Sequence, residues 1–329
     1  MSASSSLDPA RSSLSRFIAH RVARALVLIM VVASAAMLLV HLAPGDALSE
    51  IGLDPVVANA ERARLGLDRP FVEQYGDWLG RVVTLDFGES VRFQRPVAEL
   101  LADRAGNTLL LGAAALVLAL GIGLPAGVIT GRGHASPLAS VLSGASVLLL
   151  STPPLVTALL FLLLATSTGW FPTGGLDMPS GDGPLAIVLA ILRYVPLPAL
   201  ALALPIAASL ERLQSQAISE ALEQPCVAAA RARGLSASRV TWVHAWRLSL
   251  KPILGILGIV VGSVLSGSFI VELVMSWPGL GSLMYEALIG HDVHLAAGCA
   301  AVGAALLAGG LLAADVALAA LDPRTIGSA

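Results

Sequence analysis

The feature that most constrains this chain is the length of its apolar runs. Val22–Leu42, about Ala105–Ile129, Pro137–Ala165, Lys251–Met275 and Leu295–Leu321 are each long enough to cross a bilayer as a helix and too long for strands. A hydrocarbon slab offers backbone N–H and C=O groups no water, so such runs must satisfy their hydrogen bonds internally, as helices do. Composition points the same way: 56% of the 329 residues are hydrophobic and 13% charged, against about a quarter charged in a soluble domain. The reading is an all-α integral membrane protein. Acids and bases, 22 and 20, nearly cancel, so nothing suggests nucleic acid as a partner; where the charges sit matters more.

Punctuation residues divide the chain. A polar tail over 1–15 precedes a first span within 16–45, read as uncleaved because no small-x-small site follows it. Ala43-Pro44-Gly45-Asp46 stops that helix. Residues 46–103 hold eleven acids and six bases, a net charge of −5, and are expected to form a small lobe with amphipathic helices near Val56–Leu65 and Pro70–Val83. A core over 104–324 follows, with a tail at 325–329. In the third span Thr152-Pro153-Pro154 predicts a kink. The fourth span starts near Leu185 or Val195 and ends near Leu213, interrupted by Arg193, Pro196, Pro198 and Pro205. Residues 214–250 read as a polar loop, Ser276–His294 as a short loop or re-entrant segment, and Gly255, Gly258, Gly262 and Gly267 of span five as sites of close helix approach.

Six spans put both termini on one side. Arg11, Arg16, Arg21, Arg24, Arg132, Arg212, Arg231, Arg233, Arg239, Arg247, Lys251 and Arg324 share that side, which the bias of basic residues makes cytoplasmic. The acidic lobe then faces outward.

Enzyme chemistry has little support. No G-x-x-x-x-G-K-[ST], G-x-S-x-G or H-E-x-x-H occurs. Gly121, Gly123 and Gly127 look like a piece of a dinucleotide fingerprint, but they lie mid-span beside Pro125 and read as helix packing. His291, Asp292 and His294 form a conceivable metal cluster or an ordinary polar loop. Cys226 and Cys299 fall in different environments and do not suggest a disulfide. Glu272, near the outer end of span five, is a candidate because an intramembrane carboxylate is costly; Asp315 near the end of span six is a weaker one.

The stretch Val227–Pro252 is different. Helix-forming Val227–Arg233 ends at Gly234, and Ser236 can cap a second helix from Ala237 to about Leu250. Ala228, Ala229 and Ala230 give a low-relief surface, and Arg231 and Arg233 supply donors for partner carboxylates. That is a docking element for a soluble partner, or an ordinary basic loop.

In order and spacing, Ala230-Arg231-Ala232-Arg233-Gly234-Leu235-Ser236, Arg239-Val240, His244, Arg247 and Pro252 resemble the coupling loop of the inner-membrane permeases of ABC importers, in particular the oligopeptide/dipeptide/nickel group. Leu42–Asp46, Leu65–Pro70, Glu272 with Ser276-Trp277-Pro278-Gly279-Leu280-Gly281, and Leu321–Arg324 extend the resemblance over about residues 16–324. The chain departs from the pattern at Pro225-Cys226-Val227, at Ala228 where many relatives have Glu, and at Val293-His294.

The resemblance implies a type I ABC importer fold of six transmembrane helices in a bacterial inner membrane. It implies a second, different permease, two ATP-binding cassette ATPases, and an extracytoplasmic solute-binding protein. ATP and Mg would sit on the ATPases, with no cofactor and no metal on this chain. Coupling would fall to Ala228, Ala229, Ala230, Arg231, Arg233, Gly234, Leu235, Ser236, Arg239, His244 and Arg247. The translocation path and outer gate would involve Glu272, Ser276, Trp277, Pro278, Gly279 and Gly281. Peptides are the expected solute; a nickel or metal-chelate importer, a non-transporting scaffold or sensor, and a secondary transporter are the alternatives.

Overall fold

The computed structural model describes residues 9–45, 55–66, 68–133, 136–177 and 183–321. Among these, five helices are long and apolar enough to cross a membrane, or six if one broken pair counts as a single span. No sheet forms among the described residues, only an isolated bridge between Glu89 and Pro96. Two compact units emerge. Of the described residues, one gathers those up to Leu109 with Pro278–Gly309; the other holds Leu110–Trp277 and those from Gly310 to Leu321.

In the first unit, α1 (Pro9–Leu42) contains the first span, Ala19–Leu42. The amphipathic segments of the lobe fold as α2 (Pro55–Leu65) and α3 (Phe71–Val82). The apolar face of α3 explains its position: Trp78, with Tyr75 one turn and Phe71 two turns before it, packs on Ala33 and Met37 of α1 and on Ala297 and Ala301. The Tyr75 hydroxyl and Ser34 Oγ are 2.8 Å apart. Helix α4 (Val97–Gly131) begins in this unit and ends in the other.

In the second unit the third span is broken rather than kinked. Helices α5 (Pro137–Leu150) and α6 (Pro154–Thr168) meet at 111°. Two successive prolines remove two amide donors and clash with the turn before them, so the helix cannot continue. The hydroxyls bond back onto the last turn: Ser151 Oγ donates to Val147 O at 3.0 Å and Thr152 Oγ1 to Leu148 O at 2.8 Å. Pro154 then starts α6, where a missing N–H costs nothing.

Helix α7 (Pro184–Tyr194) is separate, and Pro196 opens α8 (Pro196–Glu223), ten residues longer at its C-terminal end than the sequence suggested. The segment taken as loop from residue 214 begins as helix because Gln214, Ala217, Ile218 and Ala221 bury one face. Helix α8 is the hub of this unit, touching α5, α6 and α7. Gly123 and Gly127 let α4 lie against it: a Cβ on Gly123 would sit 2.5 Å from Ala207 O, and one on Gly127 2.6 Å from Glu211 O. Packing, not nucleotide binding, accounts for those glycines.

After α9 (Pro225–Ala232), α10 (Ala237–Arg239), a π-helical stretch Val240–Ala245 and α11 (Trp246–Gly255) run on without a break. The fifth span is shorter than expected: α12 is Leu257–Val274, set off from α11 at Ile256. Of its glycines, Gly267 packs near Leu202 and Gly258 near Leu311, whereas Gly255 faces nothing. The expected loop after it contains α13 (Leu280–Ile289), too short to cross a bilayer. The last span is α14 (Val293–Leu321).

Candidate functional site

The proposed docking element is a short helix with two unlike faces. Val227 and Ala230 of α9 are fully buried, in a cluster with Val128 of α4, Ile218 and Ala221 of α8, and Val240 and Ala245. Cys226, Ala228, Ala229, Arg231, Ala232 and Arg233 are exposed. Among the described residues, no carboxylate pairs with Arg231, Arg233, Arg239 or Arg247.

The end of α9 is fixed by backbone geometry. Leu235 N–H donates to Ala230 O at 3.4 Å and Gly234 N–H to Arg231 O at 2.9 Å, a Schellman closure that needs a left-handed residue between them. Gly234 supplies it with φ +81°. Leu235 folds back onto the cluster around Ala230, and Ser236 Oγ accepts from Arg239 N–H at 3.4 Å, starting α10. His244 is half-buried in the π-helical stretch, with Arg239 and Arg247 exposed on either side. Trp242 and Trp246 lie 5.7 Å apart, and the Arg132 guanidinium sits over the Trp242 ring at 5.2 Å.

The second group of expected residues lies in the last turn of α12 and just beyond it. Glu272 is fully buried, so its carboxylate does not reach the chain's surface. Helix α12 closes by the same pattern: Trp277 N–H donates to Glu272 O at 2.8 Å and Ser276 N–H to Leu273 O at 3.4 Å. Here the left-handed residue is Ser276, φ +49°, a conformation costly for any residue with a Cβ. Trp277 is fully buried, and Ser276 O accepts from Gly175 N–H at 3.1 Å. In the other unit, Asn107 Nδ2 donates to Pro278 O at 2.8 Å and Leu280 N–H donates to Thr108 Oγ1 at 2.8 Å. These bonds hold the backbone around Gly279, ahead of Gly281 in α13, and nothing in the motif had singled out Asn107 or Thr108.

The histidines do other work. His291, φ +49°, occupies the left-handed position closing α13, and its Nε2 lies 3.1 Å from Pro44 O. Asp292 is fully buried: Oδ1 accepts from Leu295 N–H, capping α14, and Oδ2 accepts from Ser90 Oγ at 2.6 Å and Arg92 N–H at 3.2 Å. An Asp just ahead of an apolar helical run was a readable cap signal. Among the described residues no group of three His, Cys, Asp or Glu is placed to hold a metal ion. His294 instead borders a polar cavity of about 530 Å³ in the first unit, where Arg64 pairs with Glu89 at 2.8 Å and Arg69 with Asp77 at 3.2 Å.

The profile described as "binding-protein-dependent transport system inner membrane component" matches residues 123–327, and its N-terminal companion matches residues 14–112. The chain belongs to this family. It is an ABC importer permease subunit, a multi-pass component of the inner membrane with the type I importer fold. It is 32% identical to the oligopeptide transport system permease protein AppB of Bacillus subtilis strain 168 over 317 residues, 94% of this chain and 99% of that protein. It is also 32% identical to the di/tripeptide transport system permease protein DppB of Pseudomonas aeruginosa strain UCBPP-PA14, over 77% of this chain and 82% of the relative. Of the motifs quoted above, Asp46, Leu67 and Asp322–Arg324 lie outside the described residues.

Proposed function

We propose that this permease carries di- or oligopeptides across the inner membrane, along a path built with a second permease subunit. The names of its relatives support that solute class. The observation that carries the coupling role is the face of α9: exposed alanines between exposed arginines, on a helix rooted by Val227 and Ala230 and stopped at Gly234. Small side chains leave a shallow ridge that enters a groove, and the guanidinium groups meet carboxylates at its rim. The occupant of that ridge is an ATP-binding cassette subunit, which alone binds ATP and Mg and hydrolyses the nucleotide. Closure of the ATPase pair moves α9, and that movement re-aims the spans between outward and inward access. Energy passes only because the ATPase binds the two states with different affinity.

In this reading both termini and α9 are cytoplasmic. The lobe at 46–103 faces outward and seats a peptide-loaded binding protein, and Glu272 with Ser276–Gly281 shapes the outer mouth. The test is isolation of the chain from its native membrane in mild detergent, with mass spectrometry of what accompanies it. A second permease and ATPase subunits are expected. A stable complex free of any ATPase contradicts the reading and favours a scaffold or secondary transporter.

A further inference from the structure

Above the docking helix lies a polar joint that neither motif contains. Glu211 and Gln214 stand one turn apart on α8, 2% and 0% exposed. Thr130 of α4 is hydrogen-bonded through its hydroxyl to Glu211 Oε1. Gln214 Nε2 donates to Ser249 Oγ of α11 at 2.7 Å, and Ser249 Oγ donates to Trp246 O at 2.9 Å. Gly127 of α4 passes against the same two residues; a Cβ there would lie 2.6 Å from Glu211 O and from Gln214 Cβ. Side-chain bonds at one level therefore tie α4, α8 and α11 together.

The location gives the joint its meaning. Helix α8 runs into α9 through Gln224 alone, and α9 is rooted on Val128 of α4 and Ile218 of α8. Any displacement of α9 is felt first by α4, by α8 and by the π-helical stretch that leads into α11. The joint is also only half made: Glu211 Oε2 and Gln214 Oε1 are buried without a hydrogen-bond partner among the described residues. Buried acceptors without donors are costly, and polar networks behave as units that are satisfied or not. A small rotation of α8 that brought donors to these oxygens would therefore be favoured.

We propose that the Thr130–Glu211 and Gln214–Ser249 pairs form the joint that transmits movement of α9 to α4 and α11, with Glu211 as its positioning residue. The proposal rests on the docking role assigned to α9. Glu211 touches neither solute nor nucleotide; it acts through the helices it joins.

The test uses the full complex, with its ATPases and binding protein, in proteoliposomes given a mass-tagged library of short peptides. Uptake and ATP hydrolysis are read in the same vesicles. For Glu211→Leu the expected result is assembly and sustained ATP hydrolysis with peptide moved per ATP reduced about tenfold, a coupling loss of ordinary size. Glu211→Gln, which keeps the acceptor for Thr130, restores the ratio. If Glu211→Leu does not assemble, Thr130→Val removes the same bond with Glu211 in place, and the same fall is expected. An unchanged ratio in Glu211→Leu or Thr130→Val overturns the joint, as does a parallel loss of assembly, hydrolysis and uptake in both, which would mark it as structural cement. A wild-type complex that lacks ATPases or takes up no peptide overturns the reading of α9, and the joint with it.

Discussion

Helices α9 and α12 end in the same hydrogen-bond pattern, yet the two ends differ in nearly everything else. At α9 the left-handed residue is Gly234, with no atom within 4 Å of where a Cβ would sit, and the preceding turn is exposed. At α12 it is Ser276, held at φ +49° between a fully buried Glu272 and a fully buried Trp277. An exposed ridge ends on the residue that makes the turn at little cost. A segment fixed from within tolerates a strained serine because its neighbours over-determine the backbone. The pattern of bonds is shared, and burial sets the two turns apart.

Trp277→Ala should be the most damaging to the fold, costing about 3–5 kcal/mol as a fully buried aromatic is lost; denaturation of the purified subunit followed by tryptophan fluorescence would measure it. Arg231→Glu with Arg233→Glu should do the opposite, leaving insertion and stability intact while lowering uptake about a hundredfold, since like charge set against the partner's carboxylates costs several kcal/mol. Wild-type uptake by that double variant would refute docking through this face. Gly234→Ala should cost about 1 kcal/mol of local stability with a smaller loss of uptake, because only the backbone conformation is penalised there. Ser276→Gly should be the mildest change, a gain of about 1 kcal/mol from relief of the left-handed serine, read as a shift in the denaturation midpoint; a loss of stability would mean that the hydroxyl matters more than the strain.

Much of this was legible in the sequence. Apolar run length gave the spans, because a bilayer permits little else. Gly234 and Ser236 marked the end of one helix and the start of the next, where the structure has them. Two features were not legible. Residues 214–223 look polar in one dimension, and only their burial on α8 shows them to be helix. Glu211 reads as one more charge in Glu-Arg-Leu-Gln, since nothing local announces that Thr130 lies across from it, eighty-one positions earlier. The broken third span sits between these cases: Pro153-Pro154 signalled a disturbance, but its size depends on two prolines acting together.

That α9 seats an ATPase can be tested through a residue the chain already has. Cys226 is exposed at the start of α9, while Cys299 is buried. Labelling Cys226 with a maleimide photocrosslinker in native membranes, followed by illumination and mass spectrometry, would capture whatever rests on that face. The account predicts an adduct with an ATP-binding subunit whose yield changes between ATP-bound and nucleotide-free conditions. Complete labelling with no ATPase adduct in either condition would contradict it.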